Sequence, residues 1–440
     1  MAAGRARDEL LLGIDVGTTS CKAAVVSLDG AELAHGRAPV EWERVPTGAE
    51  IAPAGLVAAA VAAGGEALAG APEGRVAAVG VASMAETGVL LDRAGEPLAP
   101  AIAWHDARGG EEAAQLAADL GAERFSERTG LVPRPLCSAV KLRWLRTHHP
   151  DTERAVRWLN VAEWVVRRLG GEELAELSLA SRTGWLDIHG RSWWDEALEW
   201  SGASAALMPA LAPAGTPAGT AGDALPGAGG AVLAIGGHDH LSAAVGAGAV
   251  GDGDVLDSWG TAEALIRATS PLRPERVREA VSLGINVGWH AVPERQCLLG
   301  SARTGAMLER VMAMLGYGPE RRAELEAAAL AAPADAGGIE VEGIAEERTT
   351  IAGVGAGASP GLVWRAALAA AGEAAAAILR NMERVAGPHQ RLVIAGGWAE
   401  GEAAQAVKRA ALGPFSATSA TYVGARGAAL TAGRAAGLTE

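Results

Sequence analysis

The chain opens on an apolar run at residues 10–16, which reads as a buried strand, and a second run follows at 20–28. Gly17, Thr18 and Thr19 form the tight turn between them, and Asp29-Gly30 turns the chain again into a third strand-like piece. The pattern predicts an antiparallel meander. Helical periodicity over 54–68 and an apolar strand at 76–82 come next. Helix and strand patterns then alternate up to residues 209–230, where Pro, Gly and Ala crowd together with no apolar period. That segment reads as a linker between domains, with a loop inside one domain as the alternative. Beyond it the pattern restarts, with strands at 231–235, 255–258 and 283–289 and helices over 302–315, 360–382 and 402–412. A last buried strand, 391–395, ends at Gly396-Gly397. Two halves, each with strands first and helix-strand alternation after, predict two similar α/β domains, residues 8–228 and 229–440.

Length agrees with that division, since 440 residues exceed one ordinary core. A content of 49% apolar and 20% charged residues describes a globular chain. The net charge of -14 argues against a broad nucleic-acid or anionic-membrane surface. It leaves room for a nucleotide, whose phosphates a few local backbone donors can hold. Lys22, Lys141 and Lys408 are the only lysines among otherwise arginine cations, which reads as a composition bias. Cys21, Cys137 and Cys297 are widely spaced, so neither a disulfide framework nor a structural zinc site is expected. The apolar run 10–14 is too short for a signal-peptide core, and no stretch of membrane-spanning length is free of Gly or charge. A soluble, cytoplasmic protein is expected, and exposed apolar helices are compatible with a homodimer.

Four motifs carry candidate chemistry. In GIDVGTTSCKAAVV, Asp15 ends a buried strand and Gly17 lets the following turn approach an anion closely. Successive turn N–H groups and hydroxyls make Gly17, Thr18, Thr19, Ser20 and the nearby Lys22 candidates for holding a phosphate, with Asp15 orienting Mg²⁺ through water. No Gly-Lys-Ser/Thr opens a helix here, so this is a hairpin and not a Walker A loop. In AIGGHDHLSAAVGAG, Asp239 follows a buried strand and a Gly pair at the start of a helix. It can cap that helix, or accept a proton from an attacking hydroxyl and join the Mg²⁺ site; His240 beside it can touch substrate. DSWGTAEAL places Ser258, Gly260 and Thr261 in another strand-turn-strand phosphate loop, and Gly396-Gly397 permits close approach of a flat ring or ribose. Trp104 and Trp259, beside motif residues, are candidate ligand walls. A phosphate hairpin, an acidic strand end, a second hairpin and a Gly pair stand in order along the chain.

With those motifs and the segments AIAWHDARG, CSAVKLRWLRTHHP and ELSLASRTGWLDI, the chain resembles the FGGY carbohydrate kinases almost end to end. The resemblance implies two ribonuclease-H-like lobes of the actin-like ATPase superfamily, closing on ATP and substrate. It implies that Asp239 is the catalytic base, that Asp15 is the magnesium-associated acid, and that Gly260, Thr261 and Gly305 lie near the phosphates. Gly396, Gly397 and Trp398 fall near the adenosine, although many members carry Gly-Gly-Gly-Ala-x-Ser there. Met84, Ala85, Glu86 and Trp104 fall on the acceptor pocket. That stretch differs from the Gln-Arg-Glu of glycerol kinases and lacks the Met-His pair of xylulose kinases. Glu86 has two readings of equal weight, a hydrogen-bond acceptor for sugar hydroxyls or half of an ion pair with an Arg. The expected activity is ATP-dependent phosphorylation of a small sugar, with a ketose such as a pentulose leading and polyols behind. A catalytically silent sensor and a polymerising ATPase are the other readings, and Asp15, Asp239 and the two phosphate turns stand against the sensor.

Overall fold

The computed structural model describes residues 9–46, 48–344 and 348–439. Residues 8 and 440, the outer limits expected for the two domains, lie outside them. The meander forms as the apolar pattern predicts, with strands Glu9–Val16, Ser20–Ser27 and Glu32–Pro39 pairing antiparallel in sequence order. Strand Arg75–Ser83 joins parallel to the first of these, and Val232–His238 joins parallel to Arg75–Ser83. Pro217–Thr220 pairs antiparallel at the edge and completes a six-stranded sheet.

The lobe boundary expected at 228/229 is therefore corrected. The Pro/Gly/Ala-rich segment is not an interlobe linker: it holds the short strands Ala210–Ala212 and Pro217–Thr220 and turns back into Val232–His238. Pro217 sits first in an edge strand, where its missing N–H costs no ladder bond. The last strand of the first sheet thus comes from the part of the chain assigned to the second half.

The second sheet also has six strands, in the order Asn286–Trp289, Gln296–Ala302, Glu263–Thr269, Asp254–Trp259, Arg391–Ala395 and Ser416–Ala417. Asp254–Trp259 and Glu263–Thr269 form an antiparallel hairpin, and Arg391–Ala395 runs parallel to the first of them. Both sheets thus combine an antiparallel meander with parallel neighbours. The strand expected over 283–289 begins only at Asn286, because helix Pro274–Ser282 and its end fill the preceding residues.

Helix Pro53–Ala69 covers one face of the first sheet. The closing helix Val423–Ala435 returns to cover the other, packing Ala425, Ala429 and Ala432 on Leu11, Ala24 and Ala78. Helix Asp239–Gly246 lies between the lobes: it packs against the closing helix and buries Leu241, Ala244 and Val245 against Leu256 and Ile266 of the second sheet. Among the described residues, Pro360–Ala386 is the one helix long and apolar enough to cross a membrane. It carries Gly372 and Glu373 and is packed into the second lobe through Trp364, Ala367, Ala375 and Leu379.

Glycine sets how closely these layers approach. A Cβ on Gly13 would stand 1.7 Å from the Ala425 carbonyl oxygen, and one on Gly427 would stand 1.8 Å from that of Ser242. Neither backbone can retreat without moving a sheet or a helix. Gly427→Val is expected to destabilise the protein by about 3 kcal/mol in denaturant unfolding. An unchanged midpoint would mean that the closing helix is not seated on the helix that carries Asp239.

Candidate active site

The three parallel strands of the first sheet end side by side. Asp15 is opposite Ala82 and Val16 opposite Ser83, while Gly237 and His238 are opposite the same two residues from the other side. Asp15, Met84 and Asp239 consequently emerge at one edge, the carboxyl ends of adjacent strands, where open α/β sheets place ligands. Asp239 does not occupy the helix-cap position: that is His238, and Asp239 is the first helical residue. Its carboxylate Oδ1 accepts from the His240 N–H at 2.7 Å and lies 3.1 Å from His238 Nε2.

A second layer holds this turn. The His238 N–H donates to Ser178 Oγ at 2.9 Å, and Ser178 Oγ donates to Glu176 at 2.5 Å. Glu176 also accepts the N–H groups of Ser178 and Leu179. Gly237 has φ 93°, and a Cβ there would stand 2.7 Å from Ser178 Oγ, so glycine is required where the strand meets the helix that carries Asp239.

The two strand-end acids behave differently. Burial and then the negative charge of Asp239 push the Asp15 carboxyl up to about 7, against the pull of Lys22 and His238. Burial also works against the charge of Asp239, but His240 and His238 outweigh it and hold that carboxyl below the usual range. Asp15 Oδ1 is buried with no hydrogen-bond partner. An orphaned carboxylate oxygen beside a second carboxylate fits a hydrated divalent cation.

The hairpin turn Gly17–Ser20 faces this edge. Trp42 Nε1 donates to the Thr18 carbonyl at 2.7 Å, and Trp104 Nε1 donates to the Thr18 hydroxyl at 2.8 Å. Trp104 therefore braces the Gly17–Ser20 turn, and its ring is 37% exposed beside it. A cavity of about 650 Å³ brings together most of the residues expected to hold nucleotide and metal, Asp15, Gly17, Thr18, Thr19, Ser20, Lys22, Asp239, Gly396 and Gly397, with His240, expected to touch substrate. It is also lined by 417–422, a hydroxyl-rich loop not singled out from the sequence. Glu32 fixes that loop by accepting the N–H groups of Thr421 and Tyr422 at 2.7 and 3.0 Å. The signal was the run Thr418, Ser419, Thr421 ahead of the last helix.

Gly260, Thr261 and Trp398 line an adjoining hollow of about 400 Å³, which shares Gly397 with the first cavity. Trp398 is mostly buried, with the Arg322 guanidinium 4.5 Å from its ring centre and bonded to the Gly397 and Trp398 carbonyls. Gly305 lines neither space. It lies beneath the turn, where a Cβ would stand 2.0 Å from the Gly260 carbonyl oxygen. Trp259 is likewise fully buried and forms no open ligand wall.

Met84 and Ala85 are buried and do not line the cavity. Of the two readings of Glu86, the ion pair is the one present: its Oε1 accepts from Arg182 Nε at 2.7 Å and lies 2.6 Å from Nη2. Glu86 takes φ 61°, uncommon for a residue with a side chain. Lys141 sits behind it and donates to the carbonyls of Ala103 at 2.6 Å and Glu86 at 3.4 Å, with its ammonium pushed down to about 7 by burial. The Glu86–Arg182 pair spans 96 positions, so no local pattern marks it.

A sequence profile of the FGGY family of carbohydrate kinases, N-terminal domain, matches residues 10–246, more than half of the chain. The chain belongs to the FGGY family. The match ends with the helix that carries Asp239, in agreement with the sheet boundary seen in the fold. A glycerol kinase of Aromatoleum aromaticum is 30% identical over 452 aligned positions, covering 97% of this chain and 90% of its own. A xylulose kinase of Streptomyces coelicolor is 33% identical over 250 residues, which is 55% of this chain and about half, 51%, of that relative. The crystal structure of xylulose kinase from Rhodospirillum rubrum superposes with a TM-score of 0.87 at 25% identity, over 96% of this chain and 89% of that one. The fold is thus the two-lobed, actin-like ATPase arrangement of FGGY kinases, as the motifs implied.

Removing the cation from the Glu86 pair tests how much this buried ion pair holds the structure together. Arg182→Met leaves a buried carboxylate alone and is expected to cost about 3–5 kcal/mol of stability, with most of it recovered in Arg182→Met/Glu86→Leu. A loss below about 1 kcal/mol for the single variant would mean that the pair behaves as a surface ion pair.

Proposed function

We propose that the protein is an ATP-dependent kinase that transfers the γ-phosphoryl group to a hydroxyl of a small sugar, with a ketose such as a pentulose as the leading acceptor. The observation that carries the proposal is the position of Asp239. Its carboxylate is held ionised by two histidines, beside Asp15, and lines the same cavity as the hairpin turn Gly17–Ser20. An ionised carboxylate there is suited to accept the proton of an attacking hydroxyl. Gly17 to Ser20 supply N–H and hydroxyl donors to the phosphates, and Lys22 adds a point charge to the same wall. Asp15 and Asp239 would hold Mg²⁺, which would draw charge from the phosphate oxygens. The hollow beside Trp398, with Met312 and Pro319, suits an adenine ring.

On the acceptor side, Trp104 stands next to the hairpin and His240 next to the base, so a small polyhydroxy compound would sit between them. A polyol acceptor is the second reading, favoured by the match with a glycerol kinase over 97% of the chain. A catalytically silent sensor would have no use for an ionised carboxylate at this edge. A cytoplasmic enzyme accords with the three buried, unpaired cysteines.

Asp239→Asn keeps the shape of the side chain and removes its basicity. ADP release over a panel of ketoses and polyols is expected to fall by a factor of about 10²–10⁴ while the variant still binds ATP. Near-normal turnover would remove Asp239 from the role of base.

A further inference from the structure

The chain has 38 lysine and arginine residues, and the three lysines all lie around the cleft or directly behind it. Lys22 lines the cavity and Lys141 braces the acceptor side. Lys408 has no part in the chemistry described above. It sits on helix Glu402–Leu412, which follows the Gly396-Gly397 turn, and its side chain is fully buried. Its Nζ donates to Asp257 Oδ2 at 2.8 Å and to Glu263 Oε1, and lies 4.2 Å from the centre of the Trp259 ring.

Asp257, Trp259 and Glu263 share one face of the second phosphate hairpin. Trp259 and Glu263 are directly opposite each other at its mouth, and Asp257 lies two residues back along the strand. Thr304 closes the circuit: its hydroxyl donates to Glu263 Oε2 and accepts from Trp259 Nε1 at 3.2 Å. Thr304 also begins the helix whose Ala306 N–H donates to the Thr261 carbonyl at 2.9 Å. One ammonium group therefore links the hairpin turn, the helix beneath it and the helix that leaves the Gly pair.

We infer that Lys408, Asp257, Glu263 and Thr304 form a positioning cluster that fixes the Gly260–Thr261 turn against Gly396-Gly397 and so places the phosphoryl donor. The inference rests on the kinase reading. Buried ion clusters are poor stabilisers, since apolar side chains of similar volume often do as well or better. What this one provides is direction, because each polar contact fixes one element relative to another. A compact ammonium can bond two carboxylates while lying over an indole, whereas a planar guanidinium would need more room.

The cluster also responds to pH. Burial and the charge of Asp257 push the Glu263 carboxyl up to about 8, against the pull of Lys408 and the bond from Thr304. Below that range Glu263 is protonated and adds no charge beneath the turn. Above that range a second carboxylate ionises directly beneath the turn that meets the donor's phosphates, and repels them.

The test is the pair Asp257→Asn/Lys408→Met, which removes both charges together, with folding followed by thermal unfolding. The KM for ATP is expected to rise roughly tenfold while the KM for the acceptor stays within about twofold. A folded variant with both KM values and kcat as in the parent would overturn the inference. If that variant does not fold, Glu263→Gln decides. The parent's kcat/KM for ATP is expected to fall at least about threefold from pH 7 to pH 9, and the fall to be lost in Glu263→Gln; coinciding profiles would overturn the inference. If the parent forms no phosphorylated product, the kinase reading fails separately, and calorimetric ATP affinity of the charge-pair variant still decides: roughly tenfold weaker binding supports positioning and unchanged binding overturns it.

Discussion

Three parallel strands, Glu9–Val16, Arg75–Ser83 and Val232–His238, run in a register that stops them level with one another, and the rest of the site depends on that level edge. It sets Asp15 and Asp239 together from positions more than two hundred residues apart in sequence. It also makes them a like-charged pair, which the fold accommodates by splitting their environments: two histidines keep Asp239 ionised, while Asp15 is left raised with one unsatisfied oxygen. Titratable groups pushed in opposite directions at one edge are a frequent mark of a reactive site. Glycines at 13, 237 and 427 then let the closing helix and the turn into the Asp239 helix approach their neighbours closely enough to hold that register.

The features legible in the sequence were those encoded by adjacent residues. The opening meander, Asp15 at a strand end, the Gly17–Ser20 turn and the Gly396-Gly397 pair each depend on a few consecutive positions, and each is found where the pattern placed it. The membership of Val232–His238 was not legible, because strand pairing is decided across the sheet and the Pro/Gly/Ala segment before it resembles a linker by composition alone. The segment 176–188 reads as family-like, but the contacts of Glu176, Ser178 and Arg182 were not legible for the same reason. Their partners Glu86 and His238 lie elsewhere in the chain, and only the folded sheet edge brings them together. Met84 and Ala85 were placed correctly at the strand end, but they face the core and not the cavity.

The basic residues tell a related story. Arginine serves at the surface, in the Glu86 pair and in the buried bonds of Arg108 and Arg267, while the few lysines stand where a compact charge fits: on the cavity wall, behind Glu86, and under the Gly260–Thr261 turn. Composition bias explains the excess of arginine but not the positions at which lysine remains. Each buried lysine bonds groups from different elements, so the same interaction that neutralises a buried charge also sets the distance between parts of the cleft.

The proposed reaction transfers a phosphoryl group to a small polyhydroxy acceptor at the edge carrying Asp15 and Asp239. Phosphorus NMR of the protein incubated with ATP, Mg²⁺ and a set of ketoses and polyols follows the fate of that group directly. A new sugar phosphomonoester signal is expected, growing in step with ADP and only when an acceptor is present. ADP formed with inorganic phosphate alone, at a rate indifferent to every sugar, would contradict it.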